Sequence, residues 1–119
     1  MGARVLLVED DAGNRETLEV MLVQMGHEPV VAECGEDALR VLETADTVDL
    51  IISDVVMPGI SGVDFAKRAR ALRPATPIVL VTGDANAVES VLQSGAIALL
   101  KPYSAHTLKQ IVREALEST

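Results

Sequence analysis

Apolar residues gather in five short runs, at positions 4–8, 29–32, 48–53, 77–81 and 97–100, none of which alternates apolar with polar residues. A run of that kind reads as a strand covered on both faces, as in a parallel sheet held between two layers of helix. Between the runs the period changes to that of a helix. Leu18, Met21, Leu22 and Met25 recur at helical spacing, as do Ala38, Leu39 and Leu42, then Phe65, Ala69 and Leu72, and then Val88, Val91 and Leu92. Leu108, Ile111, Val112, Ala115 and Leu116 form the last set. Each set predicts one buried stripe on one helix. The punctuation agrees: Gly26 and Gly95 stand where helices should stop, Pro74 and Pro77 break the chain before the fourth strand, and Gly59 and Gly62 bracket a loop after Asp54.

Strict alternation of strand and helix predicts right-handed crossovers and an α/β fold, a (βα)5 three-layer sandwich around a parallel five-stranded sheet. The natural strand order is the flavodoxin-like 2-1-3-4-5, which sets the ends of strands one and three side by side where the order reverses. With 119 residues, 49% of them hydrophobic, the chain has material for a single domain, 1–119, with one sizeable core. A net charge of −8 with only 10 Lys and Arg disfavours direct contact with nucleic acid, whose phosphates are bound by basic faces. Cys34 stands alone, so no internal disulfide is expected, and no CxxC or Cys/His cluster points to zinc. The apolar stretch near the N-terminus is too short for a signal-peptide core, and no later run approaches membrane-spanning length. These features predict a soluble protein of the reducing cytoplasm.

Chemistry-bearing residues stand at the ends of the predicted strands: Glu9, Asp10 and Asp11 after the first, Asp54 after the third, Thr82 after the fourth and Lys101 after the fifth. In a parallel sheet those ends share one edge, so the residues can form a single site. Carboxylates held close together either raise a pKa or bind a cation, and oxygen-only ligands with spare water positions suit Mg²⁺. Lys101 offers a point charge and Thr82 a hydroxyl to phosphoryl oxygens, while Gly83 leaves room beside them. Asp54 is then the best nucleophile for an aspartyl-phosphate. Taken singly the features are ordinary: acids near a helix start can be a cap, and a threonine or lysine at a strand end is commonplace. Only the shared edge argues for a site. His27 and His106 lack partners at catalytic spacing and are read as surface residues, Cys34 as a packing or loop residue. Tyr103 is read either as a surface aromatic or as part of a docking patch.

The segments Leu6-Leu7-Val8-Glu9-Asp10-Asp11, Asp54-Val55-Val56-Met57-Pro58-Gly59-Ile60-Ser61-Gly62, Val79-Leu80-Val81-Thr82-Gly83 and Leu99-Leu100-Lys101-Pro102-Tyr103 resemble, in order, the motifs of two-component response-regulator receiver domains. The resemblance covers the whole chain. It implies that Asp54 takes a phosphoryl group from a phosphohistidine on a histidine kinase or histidine phosphotransfer protein. It further implies an acidic pocket of Glu9 and Asp10, Mg²⁺ held by Asp10, Asp54 and the main-chain carbonyl of Val56, and contacts from Thr82 and Lys101 to the phosphoryl group. The Lys101-Pro102 peptide is expected to be cis. A domain of this kind is not an enzyme beyond its own phosphorylation and slow dephosphorylation, and a monomer or weak homodimer is expected. Two departures stand out. Ala98 occupies the position where many receivers carry a switching aromatic, and the segment from Thr82 to Gly95 is short, as in receivers attached to hybrid sensor kinases.

Two other classes remain open on the residues alone. A Mg²⁺-dependent phosphohydrolase would share the aspartyl-phosphate but needs an acid or base near it, commonly two residues after the nucleophile, and here that residue is Val56. Asp84 could instead orient a water. A flavin- or nucleotide-binding module could use the same fold, but its first loop would be rich in Gly, Ser or Thr, whereas Glu9-Asp10-Asp11-Ala12-Gly13-Asn14 is acidic.

Overall fold

The pairing of β1 (Arg4–Val8) with both β2 (Glu28–Ala32) and β3 (Leu50–Asp54) organises the molecule, since it fixes the point at which the strand order reverses. The computed structural model describes residues 2–44 and 47–117, so the outermost positions of the expected domain 1–119 lie outside it. With β4 (Ile78–Thr82) and β5 (Ile97–Leu100) the strands form one parallel sheet in the order β2-β1-β3-β4-β5, as predicted. The helices are α1 (Ala12–Gln24), α2 (Gly35–Thr44), α3 (Gly62–Leu72), α4 (Val88–Gln93, preceded by a 3-10 turn at Ala85–Ala87) and α5 (Ala105–Glu117).

Alternate strand residues feed two separate apolar layers. Leu6, Val8, Ile51 and Leu80 face α2, α3 and α4, where Ala38, Leu42, Phe65 and Val91 cover them. Val5, Leu7, Leu50, Ile52, Val79 and Val81 face α1 and α5, where Leu18, Leu22, Leu108 and Val112 do the same. The central strands are therefore buried along almost their whole length, while the edge strands β2 and β5 keep exposed positions at Glu28, Val31 and Leu100. Among the described residues, no helix is long and apolar enough to cross a membrane.

Several expectations shift in detail. Leu72 and Leu92, assigned to buried stripes, are 43% and 58% exposed. Leu72 is the last residue of α3, and α4 is only six residues long, so its buried face is carried by Val91. The third strand begins at Leu50 instead of residue 48. Val48 is buried ahead of the strand, and its carbonyl accepts the Thr76 hydroxyl at 3.1 Å. His27 is not a free surface residue, because its Nδ1 accepts the Ala3 amide at 3.0 Å and ties the start of β2 to β1. Gly26 and Gly95 end α1 and α4 as predicted, with φ of 88° and 86°, a region only glycine enters at low cost.

Candidate functional site

Register brings the strand ends together. Val8 pairs with Ser53, Asp54 with Val81, and Thr82 with Leu100, so Glu9, Asp54, Thr82 and Lys101 lie along one edge of the sheet. Backbone bonds carry the ladders a step further: Glu9 N donates to Ala32 O at 3.0 Å, Val55 N to Val81 O at 2.9 Å and Lys101 N to Thr82 O at 2.8 Å. The Lys101-Pro102 peptide is cis, as expected.

Asp54 and Lys101 meet directly, with Nζ donating to Oδ2 at 3.3 Å. Of the two side chains, Asp54 is 14% exposed and Lys101 36%, so the contact is sheltered on the carboxylate side and reachable from solvent on the other. Glu9 is buried. Burial pushes its carboxyl above the ordinary value of 4.5; the Asp11 amide, donating to Oε2 at 3.2 Å, pulls the other way, and the Asp54 charge and a hydrogen bond with Asp10 push it up again. Asp10 is exposed. Asp11 instead caps α1, its carboxylate accepting the Asn14 amide at 2.8 Å, so the helix-cap reading holds for that residue.

Thr82 is buried, and its Oγ1 accepts the Asp84 amide at 3.0 Å, which leaves the hydroxyl hydrogen available. Asp84 caps the 3-10 turn, its Oδ1 accepting the Asn86 amide at 2.9 Å. Val56 is 78% exposed, and its carbonyl accepts no hydrogen bond from the described residues. Ala98 packs toward the α2–α4 layer, with no aromatic ring at that position.

Among the described residues, no three His, Cys, Asp or Glu side chains stand together as a closed metal cluster. What the edge shows is carboxylate oxygen: Asp54 beside Lys101, and the buried Glu9 hydrogen-bonded with Asp10 and within reach of the Asp54 charge. That set fits Mg²⁺, which retains several waters and takes one or two carboxylates alongside phosphate oxygens.

Two supports escaped sequence reasoning. Arg15 donates from Nη1 to the Glu9 carbonyl at 3.1 Å and lies 3.9 Å from Glu33, clamping the acidic loop against α1. Its place one turn into a helix, on the side facing back toward the strand end, was the available signal. Gly62, read only as a loop boundary, packs so tightly that a Cβ there would stand 2.3 Å from Asp54 O and 2.7 Å from Val55 Cα. Both neighbours are backbone, so Gly62→Ala must displace the end of β3 or the start of α3. Thermal melts should show a loss of about 3 kcal/mol, the upper end for overpacking; a melting temperature equal to wild type would contradict this.

Beside Asp54 a cleft of about 320 Å³ runs between α1 and the loop after β5, reaching Glu9, Lys101 and Tyr103. Tyr103 is half-buried there. Burial, and then the charges of Glu9 and Asp54, hold its phenol above its ordinary 10.0. His106 and Cys34 lie outside this cleft.

Residues 5–113, which include every strand end described above, match the response regulator receiver domain family. The chain belongs to that family. As a receiver it is a signal-transduction domain of the two-component type, in a family whose members accept phosphate on aspartate. The response regulator protein FleR of Pseudomonas aeruginosa is 42% identical over 120 residues, covering 98% of this chain and 25% of FleR. The receiver thus spans about a quarter of that relative. The receiver domain of the hybrid histidine kinase CckA is 36% identical with a TM-score of 0.80, covering 95% of this chain and 98% of the other. The response regulator TrrA of Thermotoga maritima, crystallised in complex with Mg²⁺ and BeF, is 32% identical with a TM-score of 0.89, covering 98% of this receiver and all of TrrA. Receivers similar to this one thus occur both in response regulators and in hybrid kinases.

Proposed function

We propose that this receiver takes a phosphoryl group onto Asp54 from a phosphohistidine, borne by a histidine kinase or a histidine phosphotransfer protein, in a Mg²⁺-dependent reaction. The observation that carries the reading is the 3.3 Å contact between Lys101 Nζ and Asp54 Oδ2 at the sheet edge, beside the buried Glu9. Asp54 is the nucleophile: its carboxylate oxygen bonds to phosphorus as the P–N bond breaks, and the electron pair leaves with the imidazole. Asp10, Asp54, Glu9 and the Val56 carbonyl are the residues that would hold Mg²⁺, which when bound neutralises charge on the phosphoryl oxygens. Lys101 turns from the carboxylate to a phosphoryl oxygen once Asp54 is esterified. The Thr82 hydroxyl, which keeps a hydrogen to donate, takes another.

The resulting change is a population shift at the surface of α4, β5 and α5, reached through Thr82 and Lys101. With Ala98 in β5, no ring follows Thr82 inward. The signal therefore has to pass through the backbone of the loops that follow β4 and β5. The partner acts as phosphodonor, and direct nucleic-acid binding by this domain is not part of the proposal, given its charge of −8.

Incubating the folded protein with Mg²⁺ and phosphoramidate or acetyl phosphate should give one hydroxylamine-labile phosphate per chain. No labelling by either donor would sink the proposal. Continuous release of phosphate from many monoesters would favour a phosphohydrolase instead. Val56 stands next to the acceptor without a proton-transfer group, so replacing it with Asn or Glu should alter the half-life of the phosphoryl group several-fold. An unchanged decay rate would remove Val56 from the account.

A further inference from the structure

The cleft beside Asp54 is larger than a phosphoryl group and a metal ion require. Its volume of about 320 Å³ reaches the range of small-molecule sites. Its lining includes the apolar side chains of Leu18, Ile52 and Val81, the small side chains of Asn14 and Thr17 on α1, and Tyr103. The Thr17 hydroxyl is spent on the Gly13 carbonyl at 3.0 Å. The Asn14 carboxamide and the Tyr103 hydroxyl, by contrast, have no hydrogen-bond partner among the described residues. An apolar pocket, two unspent polar groups at its wall and a lysine at its mouth describe a binding site for an organic group ending in an anion.

We propose that this cleft is a leaving-group subsite through which Asp54 accepts phosphate directly from acyl phosphates with bulky apolar acyl groups, aryl or branched, in preference to acetyl phosphate. The proposal rests on Asp54 being the phosphoacceptor. An Asp54 oxygen bonds to phosphorus, the P–O bond to the acyl group breaks, and its electron pair leaves on a carboxylate, so no proton and no co-reactant is needed. The leaving oxygen must stand opposite the attacking one. An acyl phosphate bends at that bridging oxygen, which lets the acyl body turn aside into the cleft. The departing carboxylate then meets the Asn14 amide and the Tyr103 hydroxyl, with Lys101 kept on the phosphoryl group, while the acyl body lies along the apolar lining.

Labelling rates with phosphoramidate, acetyl phosphate and benzoyl phosphate test this, because phosphoramidate has no organic part. Wild type should saturate with benzoyl phosphate at a KM about tenfold below that for acetyl phosphate, the scale of one well-filled apolar pocket. Thr17→Phe, an exposed helix position, fills the cleft and should lower the ratio of benzoyl phosphate to phosphoramidate kcat/KM about tenfold. Since Tyr103 is the only tyrosine and tryptophan is absent, its emission should also change saturably with benzoate in wild type and not in Thr17→Phe. If phosphoramidate labels Asp54 but the donor ratio is the same in both proteins, the subsite is overturned and the phosphoacceptor reading stands. If no donor labels the folded protein, both fall.

Discussion

Asp54→Asn is expected to abolish phosphoryl labelling while leaving the protein at least as stable as wild type. The two halves of that result have separate causes. Asparagine keeps an oxygen that can accept from Lys101, so the 3.3 Å contact survives as a hydrogen bond, but an amide oxygen is not a competent nucleophile toward phosphorus. On the stability side, an ion pair with a 36% exposed lysine is worth little once solvent screening is counted. Against that small loss stands the relief of Glu9, whose carboxyl is pushed up by burial and also by the Asp54 charge. Removing that charge lets Glu9 ionise more readily. Mass spectrometry after incubation with Mg²⁺ and phosphoramidate, paired with a thermal melt, reads both effects. Labelling that persists at another residue of Asp54→Asn would overturn the assignment of the acceptor.

The central strands were legible because β1, β3 and β4 lie under helices on both faces, so apolarity alone marks them. The site was legible for a related reason. In a parallel sheet the last residue of each strand and the one after it fall on a common edge, so Glu9, Asp54, Thr82 and Lys101 could be gathered without knowing any distance. Less visible was whatever depends on contacts across the layers. Periodicity gave Leu92 a place in a buried stripe, but α4 is too short to cover it. His27 has no sequence partner, and its bond to the Ala3 amide exists only because β1 and β2 pair. Gly62 was indistinguishable from any loop glycine until the Asp54 carbonyl was found against it. Tyr103 left two readings open. The structure gives it another position, half in the α1–α5 layer and half in the cleft, close enough to Glu9 and Asp54 for their charges to hold its phenol up.

Glu9→Gln should have opposite effects on stability and on metal binding. In wild type the folded state holds the Glu9 proton more tightly than the unfolded chain does, so its pKa rises on folding, first because the side chain is buried. The favourable contribution is fully present below the ordinary value of 4.5 and is lost as pH rises through the folded pKa. As pH rises through the folded pKa the wild type comes to carry an ionised, buried carboxylate that the glutamine lacks. The glutamine carbonyl can still accept the Asp11 amide that Oε2 accepts at 3.2 Å. Without metal, Glu9→Gln should gain in melting temperature over wild type as pH rises from 4.5, and the gap should close as pH falls below 4.5. Mg²⁺ reverses the advantage, because a ligand that binds only the folded state stabilises it in proportion to its affinity, and loss of a supporting carboxylate weakens a metal site by roughly 10- to 100-fold. Melting temperature followed against Mg²⁺ should thus rise steeply for wild type and little for Glu9→Gln. Tyr103 provides an internal check, since one of the two charges raising its phenol is gone while burial, the larger cause, remains. Its ultraviolet titration should move down but stay above 10.0. A Glu9→Gln protein that melts below wild type at every pH above 4.5 without metal would show that Glu9 is held by contacts favouring its charge.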